Sequence, residues 1–229
     1  PDHPRVSGVL SGLAENWRRR GDPARALPLY LKAYRVAGIS GEPELVRQSE
    51  SALRNTYQAL GQPELAIFFG KCAVNTIQAM RARARGMAGE LQESLVQSRA
   101  MHYRELAALL IENGRLEEAQ QVLAMLKENE LFEFIRRDNT ADPRVTRIYW
   151  SGAEGRFAMA RERIDREVAD LVAERRALDM RAKIALSDTE TARRNELLAR
   201  LAVLNAQAVD WVRELNDTLP AEQKGLVEE

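Results

Sequence analysis

The chain has 229 residues, with 34 Lys plus Arg against 34 Asp plus Glu, two His and a single Cys. Balanced charge gives no global field to attract nucleic acid or an anionic membrane, and one cysteine excludes an internal disulfide framework or a cysteine-based zinc site. Ala, Leu, Arg and Glu dominate, all strong helix formers, and Val/Ile/Thr runs bounded by turn residues are missing, so an all-α fold is expected. No apolar run approaches the roughly 20 residues needed to cross a bilayer. The chain begins at Pro1 without Met and without a signal-peptide pattern, which reads as a cytoplasmic fragment whose upstream segment has been removed.

From Val6, the residues Leu10, Leu13, Ala14 and Trp17 recur at helical spacing and predict a first helix that ends in Arg18-Arg19-Arg20. Gly21 suits the left-handed conformation that closes a helix, and Asp22-Pro23 supplies the N-cap and first residue of the next. Ala26, Tyr30 and Ala33 line the inner face of that second helix; Pro28 lies early enough in it to kink rather than break it. Gly38, Gly41 and Pro43 are expected to end the hairpin. A second pair runs from about Val46. Leu53 and Tyr57 face inward, Gly61 closes the first helix, Gln62-Pro63 opens the next, and Ala66 and Ala73 stand where Ala26 and Ala33 stood.

Lys71 to Arg85 keeps helical character until Gly86 and Gly89 interrupt it. Glu90 to Asn113 can then run as one helix of about 36 Å at 1.5 Å per residue. The stretch Leu106 to Asp138 reads as two amphipathic helices folded back at Asn113-Gly114. Leu106, Leu109 and Leu110 make one stripe; Leu116, Ala119, Val122, Leu123 and Leu126 make the other. Tyr103, Leu106, Ala107, Leu110, Gly114, Ala119, Leu123 and Leu126 match the two earlier pairs. The anchoring glycines lie 40 residues apart from Gly21 to Gly61 and 53 apart from Gly61 to Gly114.

This pattern of Trp17, Gly21, Ala26, Tyr30 and Ala33, echoed by Tyr57, Gly61 and Ala66 and by Leu106, Gly114 and Ala119, resembles the tetratricopeptide repeat, whose usual period is about 34 residues. The resemblance implies repeats at about 7–40, 47–80 and 100–133, together a degenerate array over 1–135. The second copy departs from the family pattern. Glu50 and Arg54 take positions that the family keeps apolar or small, and Gly70 replaces a large side chain, leaving Phe68 or Phe69 to fill the gap. Stacked hairpins form a superhelix with a concave groove lined by first helices. By the resemblance, the groove residues here are Ser11, Glu15 and Arg18, then Gln48, Asn55 and Gln58, then Arg104. Their mixed polarity suits an extended protein or peptide partner; simple solvation is the plainer alternative.

A connecting segment spans 136–155, with Asp142-Pro143, Ser151-Gly152 and Gly155 as turn signals and Ile148, Tyr149 and Trp150 expected to tuck against a helical face. Two long stretches without internal Gly or Pro follow. Phe157, Ala160, Ile164, Val168, Leu171, Leu178 and Ile184 form one near-heptad stripe; Leu197, Leu201, Leu204, Ala208, Trp211 and Leu215 form the other. Between them Ser187-Asp188-Thr189-Glu190 has capping-box spacing. An antiparallel coiled-coil hairpin over 156–219 is expected, with arms of about 45 Å. Pro220 should end it and leave 220–229 as a flexible tail.

The order of elements carries a second resemblance. Degenerate repeats leading to NGRLEEAQQVLAMLKENELFEFIRRD and then a coiled-coil hairpin look like the N-terminal part of bacterial tetratricopeptide-CHAT proteins. That family's CHAT domain is a caspase-like cysteine peptidase that follows the coiled coil. The resemblance implies such a C-terminal domain in the parent chain, beyond Glu229. Leu131, Phe132, Phe134 and Ile135 are too apolar for a free linker and are expected to cap the array.

No residue is nominated as catalytic, cofactor-binding or metal-ligating. Cys72 beside Lys71 reads as a packing cysteine, and His3 and His102 are too far apart to make a metal motif. The basic clusters Arg18 to Arg20, Arg81 with Arg83 and Arg85, and Arg136-Arg137 fall near helix ends, where positive charge is stabilising in itself. Three functions follow from these features. The leading one is a non-catalytic recognition and regulatory region of a caspase-like protease that binds a protein partner. The second is a scaffold that forms a homo-oligomer through the coiled coil. The third, weakest, is nucleic-acid binding through the arginine clusters.

Overall fold

A computed structural model describes residues 4–83, 89–135, 147–181 and 186–227. The described residues form eight α-helices and no strand: α1 (Pro4–Arg19), α2 (Pro23–Ser40), α3 (Pro43–Ala59), α4 (Pro63–Arg83), α5 (Gly89–Glu112), α6 (Leu116–Ile135), α7 (Gly152–Arg181) and α8 (Asp188–Val227). The fold is all-α. His3, Arg85, Gly86, Arg136, Arg137, Asp142, Pro143 and Ile184 lie outside the described residues, as do the side chain of Arg83 and those of Leu131, Phe132, Phe134 and Ile135 with the cap expected of them.

One turn chemistry separates most of the helices. Gly21, Gly61 and Gly114 adopt φ of 79°, 68° and 72°, the left-handed region that glycine enters without penalty. At each, the residue after the glycine bonds the carbonyl five residues back: Asp22 N to Trp17 O (3.1 Å), Gln62 N to Tyr57 O (3.0 Å), Arg115 N to Leu110 O (2.9 Å). That double-bonded closure absorbs carbonyls a helix end would otherwise leave open. Gly41 caps α2 in the same conformation, φ 69°. Pro4, Pro23, Pro43 and Pro63 then occupy first helical positions, where a missing N–H costs nothing. Asp22 accepts from Arg25 N at 3.0 Å as the N-cap.

The described residues divide into two compact units. The first comprises residues 1–49 and 150–229. Here α1 and α2 form an antiparallel hairpin, tied by Ser7 Oγ to Ala33 O at 3.0 Å and by Tyr30 OH to Glu15 at 2.9 Å. Ala26, Tyr30 and Ala33 are buried as the spacing implied. Leu13 is not: it is 50% exposed. α7 and α8 form the expected antiparallel hairpin. Arg193 pairs Glu174 at 2.7 Å, Arg194 pairs Asp179 at 2.8 Å, and Trp211 Nε1 donates to Phe157 O at 3.0 Å. The capping box is formed, with Ser187 N donating to Glu190 Oε2 at 3.0 Å and Glu190 N to Ser187 Oγ at 3.3 Å.

The α7–α8 hairpin is no free arm. Ile39 of α2 joins Ile164, Val168, Val172, Leu201 and Leu204 in one buried cluster. Two glycines admit the approach. A Cβ at Gly38 would sit 2.9 Å from Arg161 Nη2, and one at Gly41 2.8 Å from Val172 Cγ1. Arg161 lies over the Tyr34 ring at 4.5 Å and the Trp211 ring at 5.7 Å, so one guanidinium contacts aromatics from both hairpins. The helix boundaries differ from expectation at one glycine and one proline. α2 runs through Gly38 to Ser40, and α8 runs through Pro220 to Val227, so Pro220 does not end the arm. A mid-helix proline forfeits one hydrogen bond and clashes with the preceding turn; fully buried Leu215 and Leu219 hold this turn in place.

The second unit comprises residues 50–149. The C-terminal part of α3 packs antiparallel on α4: Tyr57 stacks on Phe69 at 5.5 Å, and Thr76 Oγ1 donates to Glu50 at 2.8 Å. α5 packs on α4 and on α6. Leu53, Tyr57, Ala66, Phe68, Phe69, Tyr103, Leu106, Leu110, Ala119 and Val122 are buried. Leu116 and Leu123 are 58% and 43% exposed, and Met125 takes the inward position instead. Gly70 makes room rather than leaving a gap. A Cβ there would meet Leu106 Cδ1 at 2.9 Å and Arg54 Cδ at 3.3 Å, so the small residue on α4 is what lets the large Arg54 on α3 be buried.

Candidate protein-interaction face

In the second unit, α3 and α5 lie side by side and parallel. Ser51 Oγ is 3.4 Å from His102 Nδ1, and Arg54 Nη2 is 2.6 Å from Glu105 Oε2. Both pairs are separated by the same 51 residues, so the helices run in register. Since α3 turns Leu53 and Tyr57, and α5 turns Leu106 and Leu110, toward the shared core, helical geometry puts the opposite side of each helix on one common face. That face carries Asn55, Gln58, Met101, Arg104 and Ala108, all exposed. Asn55, Gln58 and Arg104 are three of the residues nominated from sequence. Met101 was missed because it breaks the polar pattern by which the others were chosen.

The other four nominated residues, Ser11, Glu15, Arg18 and Gln48, belong to the first unit. Ser11 is half-buried, and Gln48 is exposed and donates to Glu44 at 3.1 Å. Glu15 and Arg18 are engaged with each other at 2.7 Å, and Glu15 also accepts from Arg19 and Tyr30. The Arg18 hydrogen bond, opposed by burial and joined by Arg19 and Tyr30, lowers the Glu15 carboxyl from 4.5 to about 2. Burial and then the hydrogen bond to Glu15 raise the Tyr30 phenol to about 12. Arg20 and Arg25 lie over the half-buried Trp17 ring at 5.7 and 4.8 Å. The first arginine cluster is therefore bound up in local pairs at the end of α1.

Ser51 and Glu105 both address Nδ1 of His102, the carboxylate at 3.7 Å. A relay from serine to carboxylate through imidazole uses its two different nitrogens. Cys72 is 9% exposed in α4, among packed side chains. The neighbouring Lys71 is completely buried and pairs with Glu118 of α6, which Arg115 also holds at 2.7 Å. Burial raises the Glu118 carboxyl, but the hydrogen bonds from Arg115 and Lys71 outweigh it and keep it below the ordinary range. Among the described residues no group of three His, Cys, Asp or Glu is placed to hold a metal, and no helix is long and apolar enough to cross a membrane.

No protein-family model, curated protein or solved structure matches the chain.

Proposed function

We propose that this chain is a non-catalytic protein-interaction and regulatory region that binds an extended segment of a partner protein on the first helices of its repeats. The observation that carries the reading is the in-register parallel packing of α3 and α5, which sets Asn55, Gln58 and Arg104 on one exposed face beside Met101 and Ala108. Amide and guanidinium groups supply both donors and acceptors for a peptide backbone, and flanking apolar side chains add contact area. The tetratricopeptide resemblance supports the same face. On the wider resemblance to tetratricopeptide-CHAT proteins, the region would stand beside a caspase-like peptidase and select or position a protein substrate for it.

The alternative, a scaffold assembling through the coiled coil, is weakened by where the stripes are spent. Ile164, Val168, Val172, Leu197, Leu201, Leu204, Ala208, Trp211 and Leu215 are all buried within one chain. The test of the leading proposal is whether a peptide selected against the purified chain loses affinity when Asn55, Gln58 or Arg104 is truncated.

A further inference from the structure

The segment shortly before α7 is bound the way a peptide ligand is bound. Residues 147–149 are non-helical and lie against α4 and α6. Ile148 N donates to Asn75 Oδ1 at 3.0 Å, and Tyr149 N donates to Gln121 Oε1 at 3.2 Å. Gln121 Nε2 donates to Arg147 O at 3.4 Å, and Lys71 Nζ donates to Tyr149 O at 3.1 Å. Two N–H groups and two carbonyls of three successive residues are thus satisfied by side chains rather than by a neighbouring strand or helix.

The side chains receive different treatment. Ile148 is 2% exposed, while Tyr149 is 68% exposed and Arg147 is exposed. One pocket reads one β-branched residue, and everything else reads backbone. The clamp residues are paired by helical spacing, Lys71 with Asn75 one turn on along α4, Glu118 with Gln121 one turn on along α6. Lys71 is completely buried, and the strap carbonyl is its second acceptor beside Glu118. Such a clamp carries no requirement for this particular segment: any extended chain with an aliphatic residue at the central position presents the same groups.

We propose that the α4–α6 groove is a second peptide site, distinct from the α3–α5 face, occupied in this state by the chain's own residues 147–149. It accepts in trans an extended segment centred on Ile or Val, which displaces the resident strap. The site does not depend on the α3–α5 reading, since the two use different helix faces.

The test uses the full chain and a fluorescein-labelled, end-capped peptide of residues 147–152 read by anisotropy. Ile148→Asp removes the resident anchor and should bind the peptide at least tenfold more tightly than the unsubstituted chain. Gln121→Ala in that background should lower the affinity at least tenfold, and a peptide carrying Asp in place of its Ile should not bind. If Ile148→Asp does not fold by circular dichroism, Tyr149→Pro, which removes the N–H given to Gln121 together with the exposed phenol and fixes the local φ, is read by the same criteria. Peptide binding by the folded variant no tighter than by the parent chain, or unaffected by Gln121→Ala, would overturn the proposal. Failure of both variants to fold would overturn it too, since the strap would then be core rather than an exchangeable occupant.

Discussion

Arg54 of α3 and Glu105 of α5 meet at 2.6 Å, with the arginine side chain 3% exposed and the glutamate 39% exposed. A buried guanidinium is costly unless paired, so this contact fixes which residues of the two helices stand opposite each other. It also explains Gly70, whose missing side chain leaves the space that Arg54 and Leu106 fill. The exposed face proposed to bind a partner is a consequence of that register.

The pair should respond asymmetrically to mutation. Glu105→Ala leaves the Arg54 charge buried with less compensation and should destabilise by roughly 1–3 kcal/mol. Arg54→Met replaces the charge with an apolar chain of similar length and should cost less than about 1 kcal/mol. Urea denaturation of the two variants checks the order.

Two glycines in helix interiors should move stability in opposite directions. Gly12 in α1 has no atom within 4 Å of an added Cβ, so Gly12→Ala should stabilise by about 0.5–1 kcal/mol through helix propensity. Gly70→Ala places a Cβ 2.9 Å from Leu106 and 3.3 Å from Arg54. Overpacking of about 1–3 kcal/mol then exceeds the propensity gain of roughly 1 kcal/mol. Thermal melts of both variants decide the signs.

Docking of the α7–α8 hairpin on α2 makes Ile39 a core residue. Ile39→Ala should cost about 2–5 kcal/mol, against less than about 0.5 kcal/mol for Met159→Ala or Met180→Ala, which are 68% and 67% exposed on α7. Because the stripes are spent within the chain, light scattering should give a monomer mass that does not change with concentration.

The α1–α2 hairpin should carry a pH signature. Glu15 is held at about 2 instead of 4.5, so its contribution to stability is complete above 4.5 and is lost as pH falls through about 2. Tyr30 is raised to about 12, so its contribution is present below 10 and is lost as pH rises through about 12. The Tm difference between the parent chain and Glu15→Gln should therefore shrink between pH 5 and pH 2. A difference that stays constant over that window would mean the cluster does not form.

Much of the helical layout was legible because turns announce themselves locally. Gly21, Gly61 and Gly114 closed their helices as read, and Ser187 with Glu190 formed the cap its spacing implied. A stronger signal lay unread: Gly-x-Pro recurs at 21–23, 41–43 and 61–63 with a spacing of 20 residues, each closing one helix and opening the next. Gly38 and Gly41 were read only as stops. In the fold they also admit Arg161 and Val172, and a glycine that ends a helix looks the same in sequence as one that makes room for another. Leu13, Leu116 and Leu123 fit an apolar stripe by spacing yet face outward, while Ala14 and Val122 of the same stripes, and Met125 outside them, are the buried residues. Of the residues expected to tuck against a helical face, Ile148 is buried and Tyr149 is 68% exposed; the rest of the strap at 147–149 has no periodicity to detect. Its placement depends on one buried isoleucine and on side chains 26 to 78 residues away in sequence. On the candidate face, the polar residues were legible and Met101 was not.

The most direct measurement of the central proposal is the affinity of a peptide selected from a display library against the purified chain, followed by isothermal titration of that peptide against variants. Asn55→Ala with Arg104→Ala should weaken the selected peptide at least tenfold, while Lys127→Ala, exposed on α6, should leave it unchanged. No selectable peptide, or an affinity indifferent to Asn55, Gln58 and Arg104, would contradict the assignment of the α3–α5 face as the recognition surface.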